Sequence, residues 1–230
     1  MVDSGAMNLP TTIDLAKRHR RLAVLLRHGE REPIERVEDS VAAPLNAAGR
    51  AAARTLGGVL AYRAPLRCHH SPVPRCRDTA EQIVAGARAA GAEAERSGEL
   101  EPLGGPYMRD WEAVMRLVLD RGAVHLTGEW FAGRLPAALA HDAYASARQQ
   151  LMVLVEQLQR PDWRGCSLNV SHDWNLLLVR HFFLGLGVAE VGWPGYLEGV
   201  AAAVDGDQLE LRWSDRLRRW PLPLPDRLPD

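Results

Sequence analysis

Short apolar runs alternate with amphipathic segments along most of the chain. Residues 22–26 are five consecutive apolar residues that stop at a loop containing a glycine, which is typical of a buried strand. Residues 66–70 and 167–170 are further short strand candidates, and each is followed by a polar cluster. Residues 94–100 fit a strand pattern more weakly. These four segments therefore predict strands that lead into loops.

Between these runs, apolar residues recur every three or four positions, as they do on one face of an α-helix. This spacing predicts helices over residues 47–64, 75–90, 143–159 and 173–185. Residues 199–204 and 208–213 flank Asp205-Gly206-Asp207, which predicts a β-hairpin. Strand–loop–helix units in this order indicate an α/β fold with helices on both faces of a sheet.

Three of the predicted strands end in polar clusters. The clusters are Arg27-His28-Gly29, Ser71 to Arg75, and Ser171-His172-Asp173. In open α/β sheets the active site lies beyond the carboxyl ends of the strands. We therefore expect these clusters to lie close together at one edge of the sheet, although they are far apart in sequence.

The middle of the chain, residues 101–165, shows no strand pattern. We expect it to be a helical cap inserted into a single domain that spans residues 1–230. Trp111 and Trp130 lie in this stretch, and we expect both to be buried packing residues.

The two ends of the chain carry little helical or strand pattern. We expect residues 1–20 to be a polar lead-in and the proline-rich tail from Trp220 to be an extended surface segment. No apolar run precedes the basic cluster near the start, so a secretory signal is not expected. A cytoplasmic protein is the expectation that follows.

Composition excludes several classes of function. The 230 residues are 47% apolar and 25% charged, as in ordinary globular domains, and the formal net charge is −1. No charge excess points to nucleic acid, and no apolar stretch is long enough to cross a membrane. Three cysteines without a C-x-x-C arrangement predict neither a disulfide framework nor a zinc site.

The polar clusters have the chemistry of a phosphate site. Arg27, Arg31 and Arg75 suit a phosphate dianion, since guanidinium groups bind its oxygens in pairs. A neutral histidine held among them is a nucleophile at phosphorus. The sequence has no Walker-type glycine loop and no carboxylate cluster for magnesium. His69 and His70 are adjacent on a strand and point to opposite faces. We therefore predict a site without a metal or cofactor.

These residues also carry a family resemblance. Arg27-His28-Gly29-Glu30-Arg31-Glu32-Pro33 matches the R-H-G-x-R-x-P motif, and the chain thereby resembles the histidine phosphatase superfamily, in the form typical of its acid phosphatase branch. Pro44 to Gly49, Ser71 to Ala80 and Ser171 to Asp173 resemble further family segments in the family's order. The resemblance implies a phosphoglycerate mutase-like fold, a three-layer sandwich with a mostly parallel central sheet.

The resemblance implies a role for each matching residue around the phosphate. His28 resembles the nucleophile, which becomes a phosphohistidine. Arg27, Arg31 and Arg75 resemble the phosphate-binding arginines. His172 resembles the second histidine, which donates a hydrogen bond to the phosphate.

The resemblance leaves two candidates for the proton donor. Asp173 resembles the donor of the acid phosphatase branch, in which a His-Asp pair is usual. In the mutase-like branch a glutamate from the middle region has this role, and Glu101 is the candidate in this chain. An aspartate before an apolar helix is also a good N-cap, so a capping role for Asp173 stays open.

The function implied by the resemblance is hydrolysis of a phosphate monoester of a small metabolite. One alternative is a mutase or phosphotransferase on the same scaffold, in which the phosphoryl group passes to an acceptor other than water. Another is a non-catalytic module that binds a phosphorylated ligand.

Overall fold

The structure is a computed structural model that describes residues 8–34 and 37–228. Its strands are β1 (Arg21–Arg27), β2 (Leu66–His70), β3 (Ala94–Glu99), β4 (Gly165–Ser171), β5 (Gly199–Asp205), β6 (Gln208–Trp213) and β7 (Arg216–Pro221). Its α-helices are α1 (Asn8–Leu15), α2 (Ala47–Leu60), α3 (Pro74–Ala89), α4 (Trp111–Arg121), α5 (Ala123–Phe131), α6 (Ala143–Gln159), α7 (Asp173–Val179) and α8 (Val188–Val191). None of these helices has the length and apolar character needed to cross a membrane.

All seven strands form one mixed sheet in the order β3-β2-β4-β1-β5-β6-β7. The first four strands in this order are parallel, and β5, β6 and β7 follow in antiparallel pairs. Every residue of β4 is buried, as expected for a strand covered on both faces. The predicted α/β fold with a mostly parallel sheet core is therefore confirmed.

The sheet separates two hydrophobic cores, and β1 contributes to both. Ala23 and Leu25 belong to the core that includes residues of α6 and α7. Val24 and Leu26 belong to the core that includes residues of α1, α2 and α3. This alternation follows from the two-residue period of a strand, and it produces three layers.

Two glycines let α2 and α3 approach each other closely. A Cβ atom at Gly57 would overlap the carbonyl oxygen of Ile83, and one at Gly86 would overlap that of Arg54. The backbones can therefore contact each other only because these side chains are absent. This packing fixes the direction of α3, whose first turn carries Arg75.

The prediction for the start of the chain is wrong, and the prediction for its end is wrong for Trp220 and Pro221, which belong to a strand. Residues 1–7 lie outside the described residues, but the rest of the expected polar lead-in contains α1, in which Leu9 and Ile13 are fully buried. Trp220 lies in β7 rather than in a surface tail, and its indole N–H donates to the carbonyl oxygen of Phe183 at 2.9 Å. In both segments apolar side chains reach a core that the local pattern did not reveal.

Candidate active site

The three polar clusters meet at one edge of the sheet because β4 lies between β1 and β2. Arg27 at the end of β1 is in register with Ser171 at the end of β4. The amide of His28 donates to the carbonyl oxygen of Ser171 at 3.0 Å, and the amide of Ser71 donates to that of Val170 at 2.9 Å. The strands thus end together, as the sequence predicted.

A cavity of about 430 Å³ opens at this edge. Six of the seven candidate site residues line it, namely Arg27, His28, Arg31, Arg75, His172 and Asp173. The seventh, Glu101, is exposed at the start of a 3₁₀ turn and does not line the cavity. Trp130 is buried as expected, but the same expectation is wrong for Trp111, which lines the cavity and is 41% exposed.

The imidazole of His28 is held as one neutral tautomer. An arginine can only donate, so the 3.0 Å contact from Arg75 Nε makes His28 Nε2 the acceptor. The proton is then on Nδ1, which donates to the carbonyl oxygen of Gly29 at 2.7 Å. Burial, with His172 and Arg75 nearby, holds the pKa of His28 well below its usual value. His28 therefore carries a lone pair on Nε2 and no charge.

The loop that carries His28 is fixed by α2 and α3. The amide of Gly29 donates to Thr79 Oγ1 at 3.0 Å. Asn46 caps α2 by accepting from the amide of Gly49 at 2.7 Å, and a Cβ atom at Gly49 would overlap the backbone of Glu30. The loop and the start of α2 therefore lie in direct backbone contact, which limits movement of the loop.

Arg75 and His172 form a hydrogen-bonded chain beside His28. Arg75 Nη1 donates to the carbonyl oxygen of Ser40 at 2.7 Å, and Nη2 donates to His172 Nδ1 at 3.3 Å. His172 Nε2 then donates to Ser71 Oγ at 2.9 Å. Burial of the ring and the charge of Arg75 lower the pKa of His172 to about 3. Both imidazoles at the site are therefore neutral at physiological pH.

Asp173 is held as a carboxylate. Oδ2 accepts from Arg27 Nη2 and from Trp193 Nε1, each at 3.0 Å, and Oδ1 accepts from the amide of Trp174 at 2.9 Å. Burial raises its pKa, but Arg27, Trp193 and its other neighbours outweigh this and leave the pKa below its usual value. The N-cap of α7 is His172, so Asp173 is the first helical residue and not the cap.

A loop before β5 completes the site, and sequence reasoning missed it. It carries Trp193, the carbonyl oxygen of Pro194, which accepts from Arg27 Nη1 at 2.6 Å, and Tyr196, whose ring centre lies 4.2 Å from the Arg27 guanidinium carbon. The Trp-Pro-Gly-Tyr run between a helix and a hairpin was the available signal. It pointed to an irregular aromatic loop without indicating what the loop contacts.

The charges lining the cavity favour an anion. The described lining residues include three guanidinium groups, of Arg27, Arg31 and Arg75, and one carboxylate, of Asp173. With neutral histidines the net charge is +2, which matches a phosphate dianion. Within residues 8–34 and 37–228, no group of three or more His, Cys, Asp or Glu residues is arranged to hold a metal ion.

Solved structures share this fold. The chain superposes on a mycobacterial glucosyl-3-phosphoglycerate phosphatase in complex with inorganic phosphate (TM-score 0.57, 20% identity, 89% of this chain and 96% of that chain). It also superposes on an Entamoeba histolytica phosphoserine phosphatase mutant in complex with phosphoserine (TM-score 0.57, 13% identity, 83% and 94%). At these identities the likeness shows the fold alone, and it confirms the predicted phosphoglycerate mutase-like architecture.

The family follows from the sequence comparison. No curated protein matches the chain. A family model described as histidine phosphatase superfamily (branch 1) matches residues 23–192, a range that contains every sequence-predicted site residue. The likeness to the acid phosphatase branch stays a prediction. The chain belongs to the histidine phosphatase superfamily.

Proposed function

We propose that the protein is a phosphatase that hydrolyses a phosphate monoester of a small metabolite through a phosphohistidine on His28. The observation that carries the proposal is the Nε2 lone pair of His28, fixed beside three arginines in a cavity. Family membership supports it, and so do two structural neighbours that are themselves phosphatases.

The first step transfers the phosphoryl group to His28. Nε2 attacks phosphorus in line, a P–N bond forms, and the bond to the ester oxygen breaks. Arg27, Arg31 and Arg75 neutralise the charge on the three equatorial oxygens. The Nδ1–H bond to Gly29 stabilises the positive charge that develops on the ring.

The leaving oxygen needs a proton, which we assign to Asp173. A phosphate dianion beside this carboxylate opposes the effect of Arg27 and raises the pKa of Asp173, so that the acid form becomes available. The dianion likewise favours protonation of His172, whose Nδ1 then donates to the phosphate. In the second step water attacks phosphorus, Asp173 takes its proton, and the P–N bond breaks.

We also propose that the chain is one domain with residues 101–165 as a cap insertion. Within this stretch α4 supplies lining residues of the cavity, and α5 begins there with Ala123. The third helix, α6, instead contributes Leu151 and Leu154 to the core on the sheet. The cap over the site would therefore be α4 and α5.

The proposal is tested by trapping the intermediate. Wild-type protein given labelled p-nitrophenyl phosphate in EDTA should form an acid-labile, alkali-stable adduct and release phosphate. His28→Ala should abolish both, whereas His125→Ala, an exposed histidine on α5, should behave as wild type. Full turnover by His28→Ala would refute the mechanism.

The same assay separates the alternatives. Transfer of the label to an added alcohol in preference to water would identify a phosphotransferase or mutase. Tight vanadate binding without any turnover would identify a binding module.

A further inference from the structure

Outside the phosphate-facing residues, the lining of the active-site cavity is mostly apolar. One face of α4 supplies Trp111, Met115 and Val118, which follow one another at helical spacing. The loop after β1 adds Ile34 and Val41. These side chains surround a space open to a ligand rather than a closed core.

We call Trp111, Met115 and Val118 of α4 the apolar wall, and the orientation of α4 directs these three side chains to the cavity. Its cavity-facing residues are apolar, while Leu119 on the same helix is 72% exposed and does not line the cavity. Trp111 contacts Trp174 edge-on, with ring centres 6.0 Å apart. Trp174 in turn lies 6.2 Å from the buried Trp130. The apolar wall is thus anchored in the core through a chain of aromatic rings.

The wall adjoins the proposed proton donor. Trp174 follows Asp173 in sequence, and Trp193 donates its indole N–H to the Asp173 carboxylate; both tryptophans line the cavity. A leaving oxygen that received a proton from Asp173 would therefore place the carbon body attached to it against these rings. The apolar wall would then be the part of the cavity that contacts the leaving group.

Polar partners for a leaving group are few. Among the described lining residues, all charged side chains belong to the phosphate and proton-transfer set. Beyond that set, the polar side-chain groups are the hydroxyls of Ser40 and Tyr107, both buried residues, and the indole N–H groups of Trp111 and Trp174. A carboxylate or a polyol moved into this space would lose more hydrogen bonds to water than these few groups can replace. An alkyl or aryl body would instead gain from leaving water.

We infer that the substrate is a phosphate monoester of an apolar alcohol, alkyl or aryl, rather than of a sugar or a hydroxy acid. This inference rests on the proposed function, because it takes the phosphate to lie among the arginines. The cavity volume of about 430 Å³ lies at the small end of ligand pockets, and suits a compact leaving group.

The test uses n-alkylphosphonates, whose P–C bond cannot be hydrolysed. Burial of each methylene is worth about a fourfold gain in affinity, so lengthening the chain from ethyl to hexyl should lower Kd by about 10²-fold. Titration calorimetry on the whole chain measures the Kd of each phosphonate. A 3,4-dihydroxybutylphosphonate should bind more weakly than butylphosphonate. No dependence on chain length, or tighter binding of the diol, would overturn the inference.

A matched pair of variants tests whether the gain in affinity per methylene comes from the apolar wall. Met115→Gln keeps the length of the side chain but makes it polar, and should reduce the gain per methylene. Leu119→Gln changes the exposed side of the same helix and should keep the wild-type gain. Equal behaviour of the two variants would overturn the assignment of the wall.

Failure of the proposed function is visible separately. Phosphonate binding does not need turnover. An absence of His28 labelling with every monoester would therefore refute catalysis, and the dependence of Kd on chain length would still test whether the cavity prefers an apolar group. Conversely, a labelled His28 with no preference for longer chains would refute the inference alone.

Discussion

Replacing Asp173 by Asn removes the proton that we assign to this side chain while keeping its size and its bond to the amide of Trp174. The amide keeps an oxygen that can accept from the amide of Trp174, but it has no proton to give and no charge to pair with Arg27. An alkyl alcohol leaves as a strongly basic alkoxide and needs the proton. p-Nitrophenolate leaves unaided, since its conjugate acid is about three units more acidic than an ordinary phenol near 10.

The size of the effect follows from the role. General acid catalysis typically contributes about 10²–10⁴-fold, or about 3–5 kcal/mol of barrier. Asp173→Asn should lose this factor in labelling of His28 from n-butyl phosphate, and less than about tenfold from p-nitrophenyl phosphate. Single-turnover quench of the phosphohistidine is the assay, because in the proposed mechanism hydrolysis of the adduct also uses Asp173.

A control variant checks the reasoning. Trp193→Phe removes one hydrogen bond to the carboxylate but keeps the acid, so the ratio of the two substrates should stay near that of the wild type. Equal losses of Asp173→Asn on both substrates would show that Asp173 is structural. The proton would then have to come from another group, with Glu101 the remaining candidate from the sequence.

Two further predictions concern stability. Gly57→Ala should lower the free energy of unfolding by about 1–3 kcal/mol, because the added Cβ atom would overlap α3. Gly58→Ala should raise the free energy of unfolding by up to about 1 kcal/mol, because the atom nearest to the added Cβ is 3.8 Å away. A urea titration in which both variants changed stability in the same direction would contradict this packing. Burial lowers the pKa of the His172 imidazole to about 3 in the folded protein. As the pH falls below 6.5, the unfolded chain therefore binds a proton at His172 that the folded protein does not bind. The folded protein consequently loses stability relative to the unfolded chain as the pH falls from 6.5 towards 3. Below pH 6 this contributes on the order of 1 kcal/mol per pH unit to the slope of urea stability against pH. His172→Gln should remove that contribution, and an unchanged slope would refute it.

The sequence predicted the elements that carry the strongest patterns. The five central residues of β1 are apolar because the strand is buried on both faces, and the strand predicted over residues 22–26 is one residue shorter than β1 at each end. The edge strand β7 shows the opposite case. Its residues are mostly exposed and three of its six residues are arginines, as edge strands often are, so no apolar alternation identified it.

The site could be predicted only as far as its motif residues. His28, Arg75 and His172 follow strands whose order is set by pairing, and the resemblance placed them together before their distances were known. The contacts of Trp193 with Asp173 and of Tyr196 with Arg27 depend on how an irregular loop folds over β1, which no local period records. Trp111 was misplaced for the same reason, because the side of α4 that faces the cavity is decided by tertiary packing.

The hydrogen bond from Arg75 Nε occupies the lone pair of His28 Nε2, which is the lone pair that attacks phosphorus in the proposed mechanism. In that mechanism, attack would require the guanidinium to exchange this bond for one to a stronger acceptor. A phosphate oxygen is such an acceptor because it is anionic and binds arginine more strongly than a neutral imidazole does. An uncharged electrophile would offer Arg75 no stronger acceptor, so the Nε2 lone pair would stay hydrogen-bonded. Under the proposed mechanism, selectivity for phosphate would therefore begin with the release of this lone pair, before any contact with the leaving group.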